Sequence, residues 1–329
     1  MMIGAQRALL SGGRWHFQHG PIDIVIHAEG QADALQAAHQ AAWGRFETVL
    51  AELVAELPTL RLPVAGLPQM RRPLADACPV QGVIARRMWA ACAPLVDDAD
   101  GYLTPMAAVA GSVAQELVAA YQRLGILRAG VNNGGDIALH LAPGQQTRVG
   151  LYADLARFDA DAAAHTAAGT LRTDLDFAVH AGDPVRGVAT SGWRGRSHSR
   201  GIADSVTVLA ATAAMADAAA TVIANAVDLV DAPQAARAGI VRLPANSLRD
   251  DSDLGTIAVT VKVPPLPAVL VQQALQRGLA CARRLQARGL VQAALLVCQG
   301  SLVRLPAPLP LPSLPPWVQQ SLHQTQTQT

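Results

Sequence analysis

The sequence predicts an α+β protein, mainly antiparallel sheet packed with helices, and three patterns carry that expectation. Strand-like segments come in groups between helices and do not alternate strictly with them. Ile22, Ile24 and Ile26 alternate with Asp23, Val25 and His27, the period of two of a strand with one buried face. Between Gln31 and Leu57, apolar residues such as Leu35, Ala38, Ala42, Phe46, Val49 and Leu53 recur at spacings of three and four, the stripe of a long amphipathic helix.

Pro58 is expected to end that helix, because its ring removes a backbone donor and clashes with the preceding turn. Residues 58–81 hold five prolines and the Arg71-Arg72 pair, which predicts a loop or an ordered crossover. A helix over 82–95 leads to the acidic turn Asp97-Asp98-Ala99-Asp100-Gly101. That turn looks like a fragment of a calcium loop without its later ligands and closing Glu, so it reads as solvent-exposed. Thr104-Pro105 offers a cap and a first-turn proline for a helix running to about Leu124, where Gly125 stops it. Strands are expected over 130–141, 147–152, 174–180, 185–190 and 205–209, then a helix over 212–227. A strand over 256–263, a helix over 268–288 and a strand over 293–303 complete one folded unit, residues 1–305. The tail, 306–329, is rich in Pro and Leu, ends in Gln-Thr repeats, and is expected to be disordered.

Composition excludes several function classes. Charged residues make up only 16% of the chain and the formal charge is +1, so no global field draws nucleic acid or an acidic membrane. The first apolar stretch is too short for a secretory signal, and the most apolar window, 206–230, is interrupted by Asp217, Asn225 and Asp228. A soluble, cytoplasmic protein without a membrane span is the expectation. The four cysteines, Cys78, Cys92, Cys281 and Cys298, lie far apart, which argues against a zinc knuckle or an iron-sulfur cluster and for reduced, part-buried thiols.

Two regions carry possible chemistry. In Asn132-Asn133-Gly134-Gly135-Asp136, Asn-Gly is a strong hairpin signal; the glycines would also let backbone amides approach a phosphate or ribose, with Asp136 accepting from a ligand hydroxyl. Ala189-Thr190-Ser191-Gly192 ends a strand and enters a flexible cationic loop with Arg194, Arg196, His198 and Arg200. That loop reads either as a solvated turn or as an anion site, with His198 the preferred general base. Asp217 and Thr221 are four apart and share one helix face. An acid on an Ala-rich helix needs a partner, and a hard cation such as Mg²⁺ would accept both the carboxylate and the hydroxyl; the bland alternative is an exposed Asp217 with Thr221 bonded to its own helix. Asp204 is a possible additional ligand. Metal, base and phosphate loop together suggest chemistry on a metal-bound pyrophosphate.

These motifs, in this order, resemble the ApbE superfamily, whose best-known members are magnesium-dependent FAD:protein FMN transferases. The matching runs are Asn132 to Asp136, Ala189 to Gly192, His198, Ser205 to Val208, and Ala216-Asp217 to Thr221, covering roughly residues 100–230. The resemblance implies an ApbE-like, T-fold-like architecture in two halves. It implies a metal at Asp217 and Thr221, a flavin nucleotide against Asn133, Gly134, Gly135, Asp136, Thr190, Ser191 and Gly192, and His198 in the place of the catalytic histidine. In such enzymes FMN passes from FAD to a Thr or Ser hydroxyl of an acceptor protein and AMP departs. Two departures set this chain apart: after His198 it runs directly through Ser199 to Asp204 into the next strand, and the customary Lys-Gly before the helix is replaced within Ala108 to Ser112. Both features look like the uncharacterised ApbE-like branch. The alternatives are a flavin- or nucleotide-binding protein without transfer, and a factor in sulfur assimilation or homocysteine formation using Cys78 or Cys92.

Overall fold

The computed structural model describes residues 4–64, 78–151, 175–195 and 197–305. Strands β1 (Gln6–Leu9), β2 (Trp15–His19) and β3 (Ile22–Gly30) lead into helix α1 (Ala32–Leu60). Helices α2 (Val83–Cys92) and α3 (Val109–Val118) follow, separated by tight helical turns over Ala93–Ala99 and Pro105–Ala108. Then come β4 (Ile126–Asn133), β5 (Asp136–Leu141), β6 (Gln146–Leu151), β7 (Leu175–His180), β8 (Gly187–Ser191) and β9 (Ser205–Ala210). The last part is α4 (Ala213–Ala226), α5 (Ala232–Arg237), β10 (Val241–Pro244), α6 (Ala245–Leu248), β11 (Ala258–Lys262), α7 (Ala268–Ala287), β12 (Ala293–Cys298) and β13 (Ser301–Leu305).

Nine strands form one sheet in the order β1-β2-β3-β4-β5-β8-β9-β12-β13, and each neighbouring pair is antiparallel. The sheet is narrowest where β5 meets β8, matched only at Ile137 with Val188 and Ala138 with Gly187. Two halves are thus joined at a thin seam, and helices cover it: α3 packs on β4 and β5, α4 on β8 and β9, and the two helices pack on each other. The expected α+β, mainly antiparallel fold is what the chain adopts.

The main core lies between the sheet and the helices, with Phe17, Ile24, Ile26, Phe46, Val206 and Ile223 among its fully buried members. A smaller cluster on the opposite face sets Leu139, Val188 and Leu209 against Val149, Phe177 and Val179 of the β6–β7 ribbon. β9 is therefore buried along its whole length, which explains its unbroken Val-Thr-Val-Leu-Ala composition. α4 is buried on nearly every side, and its Ala-rich sequence lets backbones approach closely. A Cβ on Gly111 would lie 2.3 Å from the Ala213 carbonyl oxygen, one on Gly187 2.2 Å from the Thr212 carbonyl carbon, and one on Gly201 2.1 Å from the Ala224 oxygen.

Several elements differ from the sequence expectation. Pro58 does not end α1: Leu60 is fully buried and Arg61 N–H still donates to the Leu57 oxygen, so core contact holds the last turn. The helix expected from Thr104 is broken into a tight turn and α3, because the Thr104 hydroxyl donates to Asp253 and does not cap. The expected strands over 130–141 and 293–303 are each a hairpin, the first turning at Gly134 (φ 66°) and Gly135 (φ 112°). The acidic turn is not simply exposed: the Asp98 side chain is 8% exposed and accepts from Arg284 at 2.9 Å and Arg288 at 2.7 Å. β1, β2 and β10 have no counterpart in the expectation, being short and weakly patterned. Much of the 58–81 loop, and the whole 306–329 tail, fall outside the described residues.

Gly187→Ala should destabilise the fold by about 3 kcal/mol, since the clash is with backbone that cannot swing aside. Gly44, exposed within α1 with open space around it, is the contrast: Gly44→Ala should stabilise by about 1 kcal/mol. Urea midpoints of the two variants check both signs.

Candidate functional site

The seam between the sheet halves gathers most of the polar residues singled out from sequence. Asp217, on the first turns of α4, accepts from Gly111 N–H at 2.9 Å, and the Ala110 amide also bonds its carboxylate. Asn133, at the end of β4, donates its side-chain amide to the Ala110 oxygen at 3.2 Å. Two residues 84 positions apart in the chain thus meet at one dipeptide at the start of α3. That meeting requires Gly111, whose added Cβ would sit 2.9 Å from the Asp217 Cβ. Ser112, the next residue, is fully buried and its hydroxyl has no hydrogen-bond partner among the described residues. Thr221 lies one turn beyond Asp217 on the same helix face, part-buried.

The electrostatics of Asp217 are unusual. Among the described residues no Arg, Lys or His pairs with it. Burial raises its pKa from 3.8 to about 7, opposed only by the Gly111 and Ala110 amides. Cys92 is buried beside it, and burial, then the negative Asp217 and Asp253, push that thiol well above its ordinary value. Asp253 is itself fixed by the Thr104 hydroxyl, and Tyr102 donates to its backbone oxygen at 2.6 Å.

The glycine turn is a two-residue hairpin, and Asn132 Oδ1 accepts from Gly135 N–H at 2.8 Å. The space where a Gly135 side chain would lie is open. Asp136 reaches across the seam, accepting from Thr190 N–H at 3.3 Å, while the Thr190 and Thr207 hydroxyls are 2.8 Å apart. Ser191 ends β8 half-buried. Gly192 is held for a different reason than ligand approach: a Cβ there would meet the Asp204 backbone oxygen at 2.4 Å. Asp204 itself is a clamp, accepting from Trp193 Nε1 at 3.3 Å and from the Gln299 amide.

His198 is placed apart from this group. It is half-buried in the β8–β9 loop and makes no hydrogen bond or ion pair among the described residues. Its successors anchor the loop: the Ser199 hydroxyl and the Arg200 amide both donate to Asn225 Oδ1, at 3.1 and 2.9 Å. Asn225 is on the last turn of α4, about 12 Å along the axis from Asp217 at 1.5 Å per residue. The fold therefore brings Asn133, Asp136, Thr190 and Asp217 to the seam and fastens the His198 loop at the opposite end of α4. Sequence reasoning missed the Ala110-Gly111 backbone and Asn225. A glycine opening a helix, and an Asn eight residues after Asp217 on the same face, were the available signals.

Over residues 7–304 the chain matches the family described as AbpE bacteria. The chain belongs to the AbpE bacteria family. The resemblance to ApbE proteins drawn from the motifs is borne out at that level. Relatives named UPF0280 protein include one from Methanothermobacter thermautotrophicus, 41% identical over 122 residues that cover 37% of this chain and 41% of the relative. Another, from Methanospirillum hungatei, is 36% identical over 128 residues, 39% of this chain and 46% of the relative. The chain thus spans less than half the length of these two curated relatives. A third, from Methanopyrus kandleri, is 31% identical over 210 residues, 62% of this chain and 69% of the relative. Among solved structures, the flavin transferase ApbE from Vibrio cholerae is 12% identical with a TM-score of 0.45, covering 92% of this chain and 98% of its own. The apo flavinyl transferase ApbE of Pseudomonas stutzeri is 14% identical with a TM-score of 0.41, covering 94% of this chain and 97% of its own. Likenesses of that size fix neither substrate nor chemistry. Among the described residues of this AbpE bacteria family member, no helix is long and apolar enough to cross a membrane.

Because Asp217 ionises near 7 when folded and near 3.8 when unfolded, the folded state holds the extra proton between those values. Its stabilising contribution is complete below pH 3.8 and is lost as pH rises through about 7. Asp217→Asn keeps an acceptor oxygen without the charge, so in metal-free protein it should be more stable than the parent near pH 8 and lose most of that advantage by about pH 4. Chemical denaturation at the two pH values reads the difference. The thiols give a second check. Burial pushes Cys281 up to about 11 and Cys298 up to about 12, and Cys92 is fully buried, whereas Cys78 is half-buried. Ellman's reagent should therefore titrate Cys78 in the native protein and the other three cysteines only in denaturant.

Proposed function

We propose that this chain binds FAD together with Mg²⁺ and transfers the FMN moiety to a Ser or Thr hydroxyl of an acceptor protein. The observation that carries the proposal is the Asp217 carboxylate: part-buried, bonded by backbone amides alone, and without a cationic side chain among the described residues. Such a group is unfavourable as an anion until a cation joins it, and a carboxylate followed one turn later by the Thr221 hydroxyl is a hard oxygen pair suited to Mg²⁺. The donor set therefore fits that ion, with Asp217 and Thr221 holding it. When bound, it would offset the charge of a pyrophosphate and ease departure of AMP.

The remaining work falls to the chain's own residues. The Gly134–Gly135 turn, open where a Gly135 side chain would stand, admits the nucleotide close to backbone, and Asp136 lies at the seam beside it. Asn133 holds the start of α3 against Asp217, keeping the carboxylate oriented. His198, its ring unengaged by other described side chains, takes the proton of the acceptor hydroxyl. That oxygen then bonds to the FMN phosphorus, the bond from that phosphorus to the bridging pyrophosphate oxygen breaks, and AMP leaves with the bridging oxygen.

A second reading is favoured by one specific feature. The His198 loop is fastened to Asn225, at the far end of α4 from Asp217, which suits a flavin or nucleotide carrier that does not transfer. Of the two thiols named for a sulfur-handling role, Cys92 is fully buried and gives it no support. Incubating the purified protein with FAD, Mg²⁺ and a candidate acceptor should give covalent flavin fluorescence on the acceptor and free AMP. EDTA should abolish it, and Asp217→Ala or His198→Ala should each lower the rate by at least about 100-fold. FAD binding without AMP release would establish the carrier, and no FAD binding at all would overturn both readings.

A further inference from the structure

We propose that a cleft at the C-terminal end of α4 binds a small organic anion through a phosphate or carboxylate head, with Arg277 as the receiving cation. The cleft encloses about 720 Å³ between the last turns of α4, helix α5 and helix α7. That volume is in the range of small-molecule sites, roughly 300–1,000 Å³. Val222, Ile240 and Ile257 give it an apolar floor, and its rim is charged.

The charges on that rim do not balance. Asp98 is held by Arg284 and Arg288, Asp228 by Arg242 at 2.6 Å, and Asp100 by Arg200 at 3.4 Å. Each carboxylate lining the cleft thus already has a guanidinium. Arg277, exposed on α7 two turns before Arg284 and on the same helix face, makes no hydrogen bond or ion pair among the described residues. It acts electrostatically on Asp228, which Arg242 already engages. A planar, permanently charged fork left over on the rim of an apolar-floored cleft matches an oxyanion, which it grips through two parallel hydrogen bonds. An apolar body would cover the floor below.

The site shares α4 with Asp217 and, through Arg200 and Asn225, borders the His198 loop, but it uses none of the residues that meet at Ala110-Gly111 and does not rest on the flavin reading. Isothermal titration at low ionic strength, with EDTA present, uses inorganic phosphate in one arm and succinate in the other. EDTA removes any contribution from a metal held at Asp217. One probe should bind saturably at one per chain, and the preferred probe names the head group. Arg277→Gln, a change at an exposed position that leaves the packing intact, should weaken that binding at least about tenfold. Absence of saturable binding by either probe overturns the proposal, as does binding that Arg277→Gln leaves unchanged.

Discussion

The close backbone contact between the start of α3 and the first turn of α4 is the constraint on which the rest of the structure depends. Gly111 lies so near the Ala213 carbonyl that any side chain there would force the helices apart. At that separation the Asp217 carboxylate reaches the Gly111 amide, and Asn133 ties the end of β4 to the neighbouring Ala110 oxygen. Two helices and a strand are thereby locked at one point. The rest of α4 follows the same rule: Gly187 and Gly201 approach its backbone from the sheet and from the β8–β9 loop, and its own side chains are mostly alanine. A helix wrapped this closely has little freedom to shift, so the groups it carries are held by packing on all sides.

The thin seam in the sheet lies directly beneath that contact. Only two residue pairs join β5 to β8, so the halves are held there as much by α3 and α4 as by the ladder. Asp136 adds a side-chain bond across the seam to the Thr190 amide. A junction between two packed halves is a common place for a ligand site, because it leaves polar backbone near a cleft without unravelling a core. Here Asn133 and Asp136 come from one half and Thr190 and Asp217 from the other.

Charge is distributed along α4 with a clear polarity. Near its N-terminal end a carboxylate stands among amides with no cationic side chain beside it among the described residues, and burial raises its pKa to about 7. Past its C-terminal end, Asp228, Asp98 and Asp100 are matched to arginines, with Arg277 left over. In a chain with only 16% charged residues, such concentrations are selective. Desolvating a charge without a partner is unfavourable, which is why burial raises the Asp217 pKa while the carboxylates at the other end stand beside arginines.

The sequence by itself determined the α+β class, the buried strand at Ile22 to Ile26, the long α1, the Asn-Gly hairpin and the family. Each of these follows from local periodicity, turn chemistry or motif order, which neighbouring residues carry in full. The sequence also marked Asp217 and Thr221 as one helix face, since a period of 3.6 fixes that relation before any packing. Only the tertiary structure decided that Pro58 lies inside α1, that Thr104 serves Asp253 and not a helix end, and that Asp98 is buried in ion pairs. Each of those outcomes depends on a partner distant in the chain: the core around Leu60, Asp253, or Arg284 and Arg288. The same holds for the site. Asn133 and Asp217 meet at Ala110-Gly111 because Gly111 lets two helices touch, while Ser199 and Arg200, next to His198, are drawn to Asn225. No local pattern encodes such meetings, because they are set by the distances at which backbones from separate parts of the chain can pack.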